Sequence, residues 1–242
     1  MTDVVLILGS GPNAPEVCHL PSATFDALVC INNAWRVRHD WTHMIYPEDF
    51  PPERRPLHVA PLQKLVTAED FVSAQNHYGG FIFGGGTMAF TAGYWALHAL
   101  RPRVLAYLGC DMVYPAHGPT HFYGTGTADP LRDDPTLQSL RAKSARLQIL
   151  AGRQGCAVVN LSRAPSRLVS PRAKAGALRG LSRPEVVARC AADAEEARLG
   201  YIVESGRYWE QQGAYDPAGL RALDLMWLST WRSQRARSAV LA

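Results

Sequence analysis

Residues 84–111, GGGTMAFTAGYWALHALRPRVLAYLGCD, decide the fold of this chain. Gly84, Gly85 and Gly86 let backbone approach a ligand closely. Thr87 is placed to cap a helix over Met88–Leu100, which leaves first-turn amides for an anion. That helix carries Phe90, Tyr94 and Leu97 on one side. Ala89, Ala92, Gly93 and Ala96 form a small-residue side that can lie close against a sheet. Arg101-Pro102 ends the helix, and Arg103–Leu108 reads as a buried strand running into Gly109-Cys110-Asp111. Glycine turn, helix, strand and terminal acid together describe a nucleotide-type site in an α/β sheet. An ordinary crossover helix behind a flexible loop would carry the same residues.

Outward from this unit the pattern repeats. Asp3–Leu8 is an apolar strand followed by Gly9-Ser10-Gly11-Pro12-Asn13. Backbone amides in a turn after the first strand commonly meet phosphate or ribose. It is not a GxGxxG fingerprint, and no acid follows at dehydrogenase spacing. Ala27–Ile31 is a second strand ending in Asn32-Asn33, whose amides suit a base edge or a sugar hydroxyl, or alternatively a left-handed turn. A third strand, His43–Tyr46, runs into Pro47-Glu48-Asp49 and a proline-rich loop. Leu62–Val66 and Ala68–Asn76 read as a strand and a short helix. Pro135–Arg153 is a helix with Leu137, Leu140, Ala145 and Leu147 toward the core and its Arg and Lys outward. Cys156–Leu161 is the next strand, leading to Asn160-Leu161-Ser162 and Ser166. Strands alternating with helices predict an α/β fold: a Rossmann-like parallel sheet flanked by helices, with a C-terminal helical extension. The turns GSGPN, INN, LGCD and NLS then share one edge and one crevice.

Composition bounds the rest. With 47% hydrophobic and 19% charged residues, the 242-residue chain is ordinary for a globular protein. No apolar run approaches the roughly 20 residues of a bilayer span. The start, MTD leading straight into a strand, predicts a cytoplasmic protein. Five cysteines without CxxC spacing predict buried hydrophobes at Cys30, Cys110 and Cys156, and no metal site. Residues 171–242 supply +3 of the net charge of +4, too little and too dispersed for a nucleic-acid binder. The chain therefore divides into a nucleotide-binding domain over residues 1–170 and a basic linker with a helical tail over 171–242. The tail has helices over Glu185–Leu199 and from Asp216-Pro217. In the second, Leu220, Leu223, Met226, Trp227 and Trp231 precede Arg232, Arg235 and Arg237. That face could rest on the domain, on a second subunit or on an anionic membrane.

The loop Asp111–Asp134 is long, polar and aromatic, which points to function. It holds Tyr114, His117, His121 and Tyr123; the other histidines read as structural.

The order Gly9-Ser10-Gly11-Pro12-Asn13, Asn32, Thr87, Gly109-x-Asp111 with Tyr114, and Asn160-Leu161-Ser162 with Ser166 resembles the bacterial sialyltransferases of glycosyltransferase family 42. It is also similar to Rossmann-like proteins related to hydroxymethylpterin diphosphokinases. The likeness covers about residues 3–170. It implies an inverting, metal-independent transfer of a nonulosonic acid from a CMP-sugar to a glycan, without cofactor. It implies nucleotide contacts from Gly9, Ser10, Gly11, Asn13, Asn32, Asn33, Gly86, Thr87, Gly109, Asp111, Asn160 and Ser162. Tyr114 and Tyr123 would hold the departing phosphate, and His121 would be the base with His117 in reserve. The chain departs from the family in three places: Asn13 stands where Ser is usual, Pro47 or Glu48 stands where an Asn is usual, and the loop is shorter, with Thr125 near the base position. The segment HFYG could instead be an aromatic plug. The second group implies Mg²⁺-dependent pyrophosphoryl transfer, for which the crevice offers only Asp111, Glu48 and Asp49.

Overall fold

The computed structural model describes residues 2–126, 132–211 and 213–240, with side chains to Ala236. Part of the long loop (127–131) and the Arg237 side chain lie outside the described residues. Six parallel strands form one sheet: β1 (Val4–Leu8), β2 (Ala27–Ile31), β3 (His43–Ile45), β4 (Lys64–Val66), β5 (Val104–Leu108) and β6 (Ala157–Asn160). Their order is β4-β3-β2-β1-β5-β6. The near-continuous apolar runs of β1, β2 and β5 fit because both faces of a parallel sheet are covered. All five β1 side chains are fully buried, a gain of roughly 1.5–3 kcal/mol for each large one.

The two faces are covered differently. One takes α1 (Ala68–His77), α3 (Met88–Ala99) and α4 (Leu140–Arg153), with the short α2 (Gly80–Gly84) between the first two. The small-residue side of α3 meets β5: Tyr107 Oη donates to Ala89 O at 3.3 Å, and a Cβ at Gly93 would lie 2.0 Å from that oxygen. The other face is covered by 3₁₀ turns, Trp41 and the stretch 173–181 rather than by α-helices. The basic linker therefore belongs to the core layer. Leu178 is fully buried, and Pro171 O and Ala173 N–H bond Asn160 along the edge of β6.

A further layer surprises most. Lys143 and Arg146 of α4, expected outward, are 1% and 2% exposed because α5 (Ala191–Leu199) and α6 (Pro217–Val240) cover that side. Leu220, Leu223 and Trp227 of α6 are buried there; Trp231 bonds Gln148 at 2.7 Å. Of the face that the sequence offers to the domain, a second subunit or a membrane, Leu220, Leu223 and Trp227 pack on the domain. No described helix is long and apolar enough to cross a membrane.

Two helices begin later than their sequence suggests. Asp134 caps a single 3₁₀ turn, Pro135–Leu137, and α4 starts anew behind Ser139, whose hydroxyl accepts from Ala142 N–H. Residues 185–190 are not helical. Arg153 takes the Val187 and Ala188 carbonyls at 2.9 and 3.1 Å, so a guanidinium replaces helix bonding there. Burial would raise the Asp193 carboxyl, but hydrogen bonds from Arg153 and Cys190 outweigh it and hold it at about 2.

All five cysteines are free. Cys30, Cys110 and Cys156 are buried as the sequence suggests, and burial pushes the Cys156 thiol up to about 12.

Candidate functional site

Strand order reverses between β1 and β5, and the turns leaving those strands touch through bare backbone. Gly9 N–H donates to Leu108 O and Gly11 N–H to Gly109 O, each at 2.8 Å. A Cβ on Gly9 would stand 2.3 Å from Gly109 O, and Gly109 has φ +70°. Only glycine fits either place. Ser10 Oγ ties this turn to β2 through Ile31 O at 3.3 Å, while Ser10 O accepts from Phe122 N–H at 3.0 Å. The long loop is thereby anchored over the sheet's carboxyl edge.

A cavity of about 790 Å³ opens there. Gly9, Ser10, Gly11, Asn13, Asn32, Asn33, Thr87, Gly109, Asp111, Tyr114, His121 and Tyr123 all line it. Three other expected residues do not. Asn160 and Ser162 lie just beneath, in a hydrogen-bonded cluster around Asp111. Asp111 Oδ2 accepts from Asn13 Nδ2 (2.9 Å) and Ser162 Oγ (2.5 Å), and Oδ1 from Asn160 Nδ2 (3.2 Å). Arg172 Nη1 adds an ion pair at 3.7 Å. These side chains, separated by up to 149 residues in sequence, clamp the turns after β1, β5 and β6 together. Ser162→Ala removes the shortest donor to a carboxylate that is only 11% exposed. A loss of about 1–3 kcal/mol is expected, measurable by urea unfolding; under 0.5 kcal/mol would show that the clamp is redundant.

Gly86 is the third. The glycine triplet serves protein contacts: a Cβ at Gly84 would meet Gln75 Nε2 at 2.2 Å, and one at Gly85 would meet Phe90 at 2.8 Å. Gly86 N–H is bound by Thr136 Oγ1 at 3.0 Å, beside a second cavity. Thr87 caps α3 as expected, accepting from Phe90 N–H at 3.5 Å, and its hydroxyl donates to Met112 Sδ.

Asn32 and Asn33 at the end of β2 differ from the clamp residues. Asn32 has φ +50°, so the left-handed turn is real. Yet Oδ1 of each is buried without a hydrogen-bond partner, and Asn33 is 4% exposed. An unmet buried acceptor costs about 1–3 kcal/mol, so each oxygen calls for a donor, a ligand or an ordered water.

The opposite wall is the His121–Gly124 hairpin. The His121 ring stacks on Tyr123 at 5.0 Å and lies 6.1 Å from Tyr114. Thr120 Oγ1 is 2.8 Å from His121 Nδ1, accepts from Gly126 N–H (2.9 Å) and donates to Gly126 O (3.2 Å). The Thr120 hydroxyl thus bonds both Gly126 and the Nδ1 edge of the imidazole, and Nε2 is the ring nitrogen turned away from Thr120. His117 is exposed on the loop and does not line the cavity.

Two residues that sequence reasoning passed over also line this cavity: Arg36, directly after the β2 turn, and Arg54 in the proline-rich loop. Trp35 positions both, with its ring under the Arg36 guanidinium at 5.5 Å and its Nε1 donating to Arg54 O at 3.0 Å. The signal was a tryptophan between asparagines and arginine at a strand's carboxyl end. Among the described residues Asp111 is the acid lining the cavity, and its oxygens are already bonded. Among the described residues no three His, Cys, Asp or Glu side chains group to hold a metal ion. Comparison with protein-family models, curated proteins and solved structures finds no significant match to the chain, so fold and geometry alone describe the site.

Proposed function

We propose that the chain is a glycosyltransferase that binds a CMP-activated sugar in the cavity between the β1 and β5 turns and transfers it with inversion to a glycan. The observation that carries this reading is the pair of unmet Asn32 and Asn33 oxygens. Buried acceptors at a strand's carboxyl end suit the N–H and O–H donors of a nucleoside, namely an exocyclic amine and ribose hydroxyls. Arg36 and Arg54 supply positive charge for phosphate and for a donor carboxylate. Tyr114 and Tyr123 add neutral donors on the opposite wall.

In the proposed step the acceptor oxygen attacks the anomeric carbon as its proton passes to His121 Nε2. The bond from that carbon to the CMP phosphate oxygen breaks, and its electron pair leaves with CMP. Charge builds on the phosphate, where arginine and tyrosine donors can meet it without a metal ion. The donor sugar would be of the nonulosonic type, whose carboxylate gives Arg36 and Arg54 a second anion.

Thermal shift with CMP, UDP, GDP and ATP, each with Mg²⁺ or EDTA, tests the reading. CMP is expected to raise Tm most and equally in both conditions; saturation at 100 times Kd corresponds to about 2.7 kcal/mol. Stabilisation by ATP that requires Mg²⁺, with none by CMP, would replace this reading with pyrophosphoryl transfer.

A further inference from the structure

A second cavity of about 620 Å³ adjoins the first, and Asn32, Phe50 and Met88 line both. The residues of its far wall, Ser205–Trp209, come from the tail. Its chemistry is the reverse of its neighbour's. Glu48, Asp49, Asp133 and Asp134 outnumber Arg132 and Arg207, so a second anion is disfavoured here. Asp134 is bound by Thr136, Tyr208 and Arg132, and Arg207 pairs with Glu48 at 3.4 Å. An aromatic run crosses the wall: Phe81 stacks on Tyr208 at 6.1 Å, and Tyr208 meets Trp209 edge-on at 5.4 Å. Trp209 ends the run 52% exposed. An exposed indole beside carboxylate–guanidinium pairs suits a ring with one apolar C–H face and a rim of hydroxyls.

We infer that this second cavity is a subsite for a neutral saccharide, stacked on Trp209 and bonded through its hydroxyls to the acid–arginine rim. Its role as the acceptor subsite rests on the glycosyltransferase reading; saccharide binding itself does not. The shared lining of Asn32, Phe50 and Met88 is where acceptor hydroxyl and donor sugar would meet. The C-terminal region thereby becomes part of the substrate site.

The test uses the full chain and two separate readouts. Saturation-transfer NMR with lactose, maltose and chitobiose measures saccharide binding, and thermal shift measures CMP binding. At least one disaccharide is expected to bind. Trp209→Ala should weaken it at least tenfold, Trp209→Tyr no more than threefold, and CMP stabilisation should be the same in all three proteins. Because Trp209 is half exposed, the alanine variant should melt with the wild type. Binding of no disaccharide, or binding untouched by Trp209→Ala, overturns the inference. Trp209-dependent saccharide binding without CMP binding upholds it and removes the nucleotide-sugar reading instead.

Discussion

His121→Ala is expected to lower CMP release from CMP-N-acetylneuraminic acid, with lactose as acceptor, by about 10²–10⁴-fold, the usual worth of a positioned general base. CMP affinity should change by less than about threefold, because Asn32 and Asn33, the nucleoside contacts of the proposal, lie on the β2 turn across the cavity from His121. A companion variant tests the Thr120 contact. Thr120→Val removes the oxygen that faces Nδ1 at 2.8 Å and should cost about tenfold while leaving the imidazole in place. Unchanged turnover in His121→Ala would take His121 out of the mechanism and leave HFYG as an aromatic plug.

Arg146→Ala should produce the largest loss of stability, about 3–5 kcal/mol. For a chain of this length that lowers Tm by about 6–20 °C. The guanidinium donates to both Glu196 oxygens at 2.6 and 2.7 Å, to Tyr94 Oη at 2.8 Å and to Tyr78 O. Glu196 also accepts from Trp227 Nε1 at 2.7 Å. Burial works against the Arg146 charge, but Glu196 and Tyr94 outweigh it and the proton is held more tightly than usual. Removing the arginine strands a carboxylate among apolar groups. Lys143 and Asp224 form a second buried ion pair nearby, at 3.1 Å, and burial raises the Asp224 carboxyl against the pull of Lys143. The double variant Arg146→Met, Glu196→Leu should recover only part of the loss, since Trp227 Nε1 then lacks its acceptor. A cost under 1 kcal/mol for Arg146→Ala would show that the ion pair does not hold the tail layer in place.

The sheet was legible because its strands are runs that only two-sided burial explains. VVLIL, ALVCI and VLAYL admit little else once glycine or asparagine follows. Much of the cavity was legible for the same reason, since parallel strands deliver their turns to one edge. The inward direction of Lys143 and Arg146 was not. Helical periodicity assigns a charged residue to solvent, and nothing local says that Glu196, 50 positions from Arg146, and Asp224, 81 from Lys143, will meet it. Nor could spacing tell that Asn13, Asn160 and Ser162 bond Asp111 while Asn32 and Asn33 keep unmet oxygens: the same amide types, with opposite fates set by tertiary distance. Arg36 and Arg54 were missed because an arginine in a polar loop has no period to betray it.

The contact of Gly9 with Gly109 also bears on how this molecule could be re-engineered. Two peptide units pressed together leave no room for variation beneath the cleft, so libraries that randomise those positions would return mostly unfolded clones. Diversity belongs instead in the loop that carries Tyr114 and Tyr123 and in the segment around Trp209, where new side chains can be tried above an unaltered base.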